Sequence, residues 1–179
     1  MISCITEIHA TKEMIREAKE ELDAEGKPCD HGLKLGVLVE VPSAVAIADM
    51  LAREVDFFSI GTNDLTQYTL AAERGNPQLS SYLDSLHPAV LYQIKMVVNT
   101  AHKHSKWVGV CGEIASDSQA TALLLGLGVD ELSMNAAAIP TIKSAIRHVS
   151  LATARQLASQ SLACTSATEV RELCSEYQN

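Results

Sequence analysis

No Cys-x-x-Cys pair occurs in this sequence, and its five cysteines, at 4, 29, 111, 164 and 174, are odd in number and widely spaced. Nothing in that spacing suggests zinc or a disulfide framework, and four of the five read as ordinary reduced thiols. Cys111 stands apart because of its position. No apolar run approaches the ~20 residues that span a bilayer, and the first residues, Met1-Ile-Ser-Cys, carry no basic segment ahead of an apolar one. Basic residues are few: 14 Lys and Arg against 22 Asp and Glu give a net charge of -8. A scattered minority of cations argues against a nucleic-acid or anionic-membrane surface, which needs Lys and Arg gathered on one face. Low-complexity linkers and internal repeats are also missing. The expectation is a cytosolic protein with neither nucleic acid nor membrane as partner.

The chain does hold enough apolar residues, 47% of 179, for one domain with a real core. Residues 1–4 read as the end of a strand, and Thr6 as the cap of a helix that runs to Glu25 and is stopped by Gly26, Lys27 and Pro28. Ile8, Ile15, Ala18 and Leu22 give that helix an inner stripe. Residues 35–40 form an apolar strand ending in a carboxylate, and Pro42-Ser43 opens a helix through Arg53. A second strand, 56–60, leads into Gly61-Thr62-Asn63-Asp64 and a helix over 65–72. Residues 73–87 show no regular period. Pro88 starts a helix whose Val90, Leu91, Ile94, Val97, Val98 and Ala101 fall at helical spacing. A third strand covers 107–111, a helix capped by Ser116 or Asp117 runs to 125 before Gly126 and Gly128, and a fourth strand covers 130–134. Pro140 opens another helix, Ser150 caps the next, and Ser166 with Glu169 forms a capping box for the last.

Strand and helix alternate, and the strands are solid apolar runs. That pattern belongs to an α/β fold with parallel strands buried by flanking helices. In such folds the carboxyl ends of the strands share one rim, and Glu40, Asn63, Asp64, Cys111 and Asn135 all fall there. Glu40 and Asp64 offer hard carboxylate oxygens of the kind Mg²⁺ takes together with water and substrate oxygens. Read singly, each is equally a cap or a surface charge. Asn63 and the free N–H groups at the start of the following helix suit an anion, and Arg74 can close over a phosphate with its planar fork, unless it is an ordinary surface residue. Cys111, between Gly109 and Gly112, is either a small buried hydrophobe or a proton donor, since a cysteine thiol is mostly protonated at neutral pH.

Four stretches carry a resemblance: Gly-Val-Leu-Val-Glu (36–40), Gly-Thr-Asn-Asp-Leu-Thr-Gln-Tyr (61–68), Glu-Arg-Gly-Asn (73–76) and Cys-Gly-Glu (111–113). They resemble the phosphoenolpyruvate-binding domain of Enzyme I of the bacterial sugar phosphotransferase system. Phosphoenolpyruvate synthase and pyruvate phosphate dikinase share the Asn-Asp-Leu-Thr-Gln core, but Tyr68 and the Glu-Arg-Gly-Asn continuation are more like Enzyme I. A pyruvate-forming aldolase would also pair Glu and Asp on a metal, but fits the run 63–68 poorly. The resemblance implies that Glu40 and Asp64 bind Mg²⁺, that Asn63, Arg74 and Asp64 hold phosphoenolpyruvate, and that Cys111 protonates the enolate of pyruvate. It also implies a phosphoryl transfer to a histidine on a separate N-terminal domain and on to HPr, for sugar uptake.

The same resemblance implies a (β/α)₈ barrel, a fold that typically needs about 250 residues. Only its last four strands are legible in residues 1–179, with the end of one more, so the chain reads as a single partial barrel domain whose residues 150–179 are C-terminal helices. The histidine-bearing domain is not legible in it. None of His9, His31, His87, His102, His104 or His148 sits in a context that suits a phosphoryl acceptor. Open strand edges are seldom tolerated in soluble proteins, so self-association, as a homodimer, is expected. Two functions follow: the catalytic segment of a phosphoenolpyruvate-protein phosphotransferase, inactive alone, or an incomplete fragment that dimerises with or regulates a complete enzyme.

Overall fold

A computed structural model describes residues 1–79 and 82–177. Its elements, in order, are α1 (Ile5–Ala24), β1 (Gly36–Val39), α2 (Pro42–Ala46), α3 (Ala48–Ala52), β2 (Phe57–Gly61), α4 (Thr62–Leu70), α5 (Pro88–Lys103), β3 (Val108–Cys111), a 3₁₀ helix (Glu113–Ser116), α6 (Ser118–Leu127), β4 (Glu131–Ser133), α7 (Ile139–His148), α8 (Leu151–Ser161) and α9 (Ala167–Glu176). The four strands form one parallel sheet in the order β1-β2-β3-β4. Consecutive parallel strands in sequence order, each returning through helix, are the arrangement of a segment of a (β/α)₈ barrel.

Alternation along the strands sorts the residues onto two faces. Val37, Val39, Phe58, Ile60, Val108 and Val110 point to the helices and are each at most 1% exposed. They meet Leu51 of α3, the whole expected stripe of α5 and Leu123, Leu124 and Leu127 of α6 in one core. Burying each such side chain contributes roughly 1.5–3 kcal/mol, which is why these solid apolar runs form strands that lie flat against helices. Leu38, Glu131 and Ser133 point the other way and are exposed. At the amino end of this open face the Phe57 ring lies across Gly36, where a Cβ would meet it at 2.2 Å. The same ring stacks on Trp107 with centroids 4.4 Å apart.

Several boundaries differ from the sequence reading. Residues 1–4 are not a strand, and α1 is capped at Cys4 instead of Thr6 because Glu7 reaches back to accept the N–H groups of Ser3 (2.6 Å) and Cys4 (3.0 Å). Of the proposed stripe only Ile8 is buried, and Ala18 is exposed, since α1 packs on the rest through its first half. The helix expected over 42–53 is broken at Ile47 (φ -103°, ψ 16°) into α2 and α3. The next one, expected at 65–72, starts three residues earlier, at Thr62, and ends at Leu70, with Ala71 left-handed (φ 50°). Gly126 does not end α6. It lies inside the helix, where a Cβ would come within 1.9 Å of the Ala154 carbonyl oxygen, so its bareness lets α8 cross closely; Gly128 (φ 93°) is the terminator. The caps at Ser150 and Ser166 are present, and Glu169 reaches one residue beyond the expected box to accept the Thr165 N–H at 2.7 Å.

Candidate functional site

The strand register brings the rim residues into a row. Gly61 pairs with Cys111 and Cys111 with Ser133, while Val39 pairs with Ile60, which sets Glu40 beside Gly61. Glu40 leans directly over Gly61: a Cβ there would stand 2.7 Å from Glu40 Cγ and 3.1 Å from Oε1. The glycine is thus needed for the carboxylate to occupy the rim. With 13% of its side chain exposed, Glu40 has the Met1 α-amino group 3.5 Å from Oε2. Cys111 Sγ lies 3.5 Å from the Ile60 carbonyl oxygen and 3.8 Å from Ser59 Oγ. It is partly exposed on the open side of the sheet.

Past Gly61 the chain turns straight into α4, so Asn63 and Asp64 stand in its first turn. Among the described residues no side chain caps this helix, and the leading N–H groups of a helix, with the positive end of its dipole, suit an anion. Two hydrogen bonds weld this turn to the end of β3. Buried Thr62 donates to the Cys111 carbonyl at 2.8 Å, and Asn63 Oδ1 accepts the Glu113 N–H at 3.2 Å. The second bond fixes the Asn63 amide, leaving its NH₂ as the donor. Both depend on Gly112, whose φ of 107° suits glycine and whose Cβ would collide with Thr62 Oγ1 at 2.4 Å and Asn63 Oδ1 at 2.9 Å.

Arg74 returns from the irregular connection to pair with Asp64. Gln67, one turn into α4, holds it there by accepting from the Arg74 backbone N–H (3.2 Å) and Nε (3.4 Å). Asn63 and Arg74 line a cleft of about 340 Å³ with Thr66, Leu83, Ser85 and Glu113. Thr66, 2% exposed, donates to Ser85 Oγ at 3.0 Å and so anchors the connection onto α4. A neighbouring cleft of about 350 Å³ shares Leu83, Ser85 and Glu113 and extends to Arg171. Arg171, from α9, forks onto Asp84 at 2.6 and 2.9 Å and reaches Asp117 at 3.3 Å. Asp84 holds this guanidinium even more firmly protonated than usual.

The structure therefore brings Asn63 and Arg74 around one cleft, with Asp64 paired to Arg74, and sets Glu40 and Cys111 in one rim row, the two groups joining at Gly61-Thr62. Asn135 takes no place among them; its Oδ1 accepts the Ala138 N–H at 3.1 Å and shapes the turn before α7. Thr66, Gln67 and Glu113 fall inside the motifs at 61–68 and 111–113, though the sequence assigned them no role, and Ser85 falls outside every motif. Gln67 sits one helical turn after Asp64, a spacing that signals a shared face, whereas Ser85 lies in the stretch without period. Two hard carboxylates, Glu40 just past the end of β1 and Asp64 in the first turn of α4, are a donor set of the kind that fits Mg²⁺, which needs few protein ligands and fills its shell with water and substrate oxygens. The acidic pair Glu40 and Asp64 would hold it.

Among the described residues no helix is long and apolar enough to cross a membrane. The family of PEP-utilising enzymes, PEP-binding domain, matches residues 1–151. A phosphoenolpyruvate-protein phosphotransferase of Haemophilus influenzae is 49% identical over 177 residues, covering 99% of this chain and 31% of that protein. One from Buchnera aphidicola is 44% identical over 179 residues, covering 100% of this chain and 31% of its own length. A multiphosphoryl transfer protein of Xanthomonas campestris is 49% identical over 173 residues, covering 97% of this chain and 20% of that protein. The chain thus spans 31% of the phosphotransferases it matches and less of the multiphosphoryl protein. With its four-stranded parallel sheet and a match that reaches from the first residue into α8, this chain belongs to the family of PEP-utilising enzymes, PEP-binding domain.

Proposed function

We propose that this chain is the phosphoenolpyruvate-binding segment of a Mg²⁺-dependent phosphoenolpyruvate-protein phosphotransferase, passing the phosphoryl group to a histidine on a separate domain and thence to HPr, with pyruvate released. The observation that carries this reading is the order along the rim: Glu40 leans over Gly61, Gly61 pairs with Cys111, and the chain then enters α4, whose first turn holds Asn63 and Asp64, the latter paired with Arg74. Asn63 NH₂ and the first N–H groups of α4 grip phosphate oxygens. Arg74, steadied by Gln67 and Asp64, closes over the same group with two parallel donors. Glu40 and Asp64 would hold Mg²⁺, which would supply positive charge to the phosphate and to the enolate oxygen.

Once the phosphoryl group has left, Cys111 gives its thiol proton to the terminal carbon of the enolate; the carbon–hydrogen bond forms from the enolate electron pair, pyruvate departs and a thiolate stays behind. General acids of this kind contribute about 10²–10⁴-fold in rate. In a chain of the relatives' full length, Cys111→Ala is expected to leave phosphoryl transfer to the histidine intact while pyruvate formation slows about a hundredfold or more. Pyruvate formation at the normal rate would remove Cys111 from this role.

Two further readings belong here. Residues 1–179 are one domain, with 150–179 as helices integral to it, supported by the close α6–α8 crossing at Gly126 and by the Arg171 clamp on Asp84 and Asp117. The isolated chain self-associates, supported by the exposed Leu38 and Trp107 on the open sheet face.

A further inference from the structure

Far from the rim, the last turn of α1 and the loop leading to β1 gather a carboxylate, a thiol and an imidazole. Asp23 Oδ1 lies 3.3 Å from His31 Nε2 and 3.7 Å from Cys29 Sγ, and Cys29 Sγ lies 3.4 Å from His31 Nε2. Among the described residues, this is the group of three His, Cys, Asp or Glu whose ligand atoms all fall within 4.8 Å of one another. The loop is held in this shape independently of the three: Gly26 takes φ 66° after the helix, the Asp30 carboxylate accepts the Gly32 N–H at 2.8 Å, and Lys19 Nζ donates to the His31 carbonyl at 3.0 Å.

The triangle has the dimensions of one face of a tetrahedral zinc site. Bonds of about 2.3 Å to sulfur and about 2.0 Å to nitrogen and oxygen place S and N, and S and O, roughly 3.5 Å apart, and N and O roughly 3.3 Å apart. All three observed edges agree within about 0.2 Å of those values. Softness agrees too, since thiolate and imidazole select Zn²⁺ over Mg²⁺ or Ca²⁺. A thiolate and a carboxylate balance the two charges of the ion, the imidazole is neutral, and the thiol proton leaves to solvent on binding.

We propose that Asp23, Cys29 and His31 form a three-ligand site for Zn²⁺, completed by water, that ties the end of α1 to the loop entering β1. It is separate from the Glu40–Asp64 pair in both position and chemistry. A bound ion closes the loop between residues 23 and 31 in the folded state alone, and so stabilises it by mass action.

Co²⁺ serves as the spectroscopic probe. Titrated into the intact chain, it is expected to give thiolate-to-metal absorption in the near ultraviolet and tetrahedral bands in the visible, saturating at one equivalent and displaced by Zn²⁺. In Cys29→Ser the near-ultraviolet band is expected to vanish, in His31→Ala the affinity to fall more than about tenfold, and in Asp64→Ala both are expected to stay as in the parent. Zn²⁺ should also raise the Tm of the parent and leave that of Cys29→Ser unmoved, which separates lost binding from lost folding. Absence of the sulfur band from the parent, or its persistence in Cys29→Ser, would overturn the proposal.

Discussion

Gly112 is the residue on which the candidate site turns. Its backbone angles, φ 107° and ψ -176°, lie in a region open essentially to glycine, and its missing Cβ leaves room for both Thr62 and Asn63. Forcing another residue into such a conformation costs about 1–3 kcal/mol, and the overlap with a buried, hydrogen-bonded Thr62 adds to it. Gly112→Ala is therefore expected to lower the unfolding free energy by at least ~2 kcal/mol, read from urea titration of the single tryptophan, Trp107. A loss below ~1 kcal/mol would show that the turn relaxes freely. At this scale the sequence was informative about Glu40, Asn63, Asp64 and Cys111, because a residue at a strand end needs only the strand to be placed. Arg74 was legible through its motif. Glu113 was legible as part of Cys-Gly-Glu but not as a cleft residue, and Ser85 not at all, since they reach the cleft through a 3₁₀ turn and a connection whose paths no periodicity encodes.

At the scale of elements, the apolar stripe of α5 and the four strands followed directly from spacing, since core burial outweighs local preference. The start of α1 moved because a side chain acts across a few residues, Glu7 reaching back to the Cys4 N–H, whereas the cap at Asp117, accepting the Gln119 N–H at 2.9 Å, is one of the two positions the sequence offered. The pairing of α3 with the end of α5 was also hidden. Asp49 accepts from Arg53 in its own helix and meets His104 at 2.8 Å, and the hydrogen bonds from His104 and then Arg53 depress its pKa to about 2. A carboxylate depressed in the folded state stabilises the protein above its unfolded pKa, near 4, and loses that contribution as pH falls through the folded value. Asp49→Asn is therefore expected to be less stable than the parent at pH 5, and the gap to close between about pH 4 and about pH 2. A gap independent of pH in urea midpoints would contradict the pairing.

At the scale of the molecule, and among the described residues, one face of the sheet is covered by helices and the other is not. Leu38 is 36% and Trp107 41% exposed on the open face, and among the described residues β1 and β4 each pair on one side only. Parallel strands are normally buried on both faces, and open edges recruit further strands. The isolated chain is accordingly expected to be a dimer or larger by light scattering at micromolar concentration, and a monodisperse monomer would contradict this. That the strands come in sequence order was legible from their alternation with helices. How far the rim row and the α4 cleft converge was not, because it depends on the Gly61 turn that feeds β2 into α4.

Calorimetric titration of Mg²⁺ and phosphoenolpyruvate into this chain, with Asp64→Ala alongside, tests most directly the proposal that Glu40 and Asp64 carry a metal beside Asn63 and Arg74 as phosphate ligands. The prediction is measurable binding to the parent and at least about tenfold weaker binding to Asp64→Ala; equal binding by both proteins, or none by either, would contradict it.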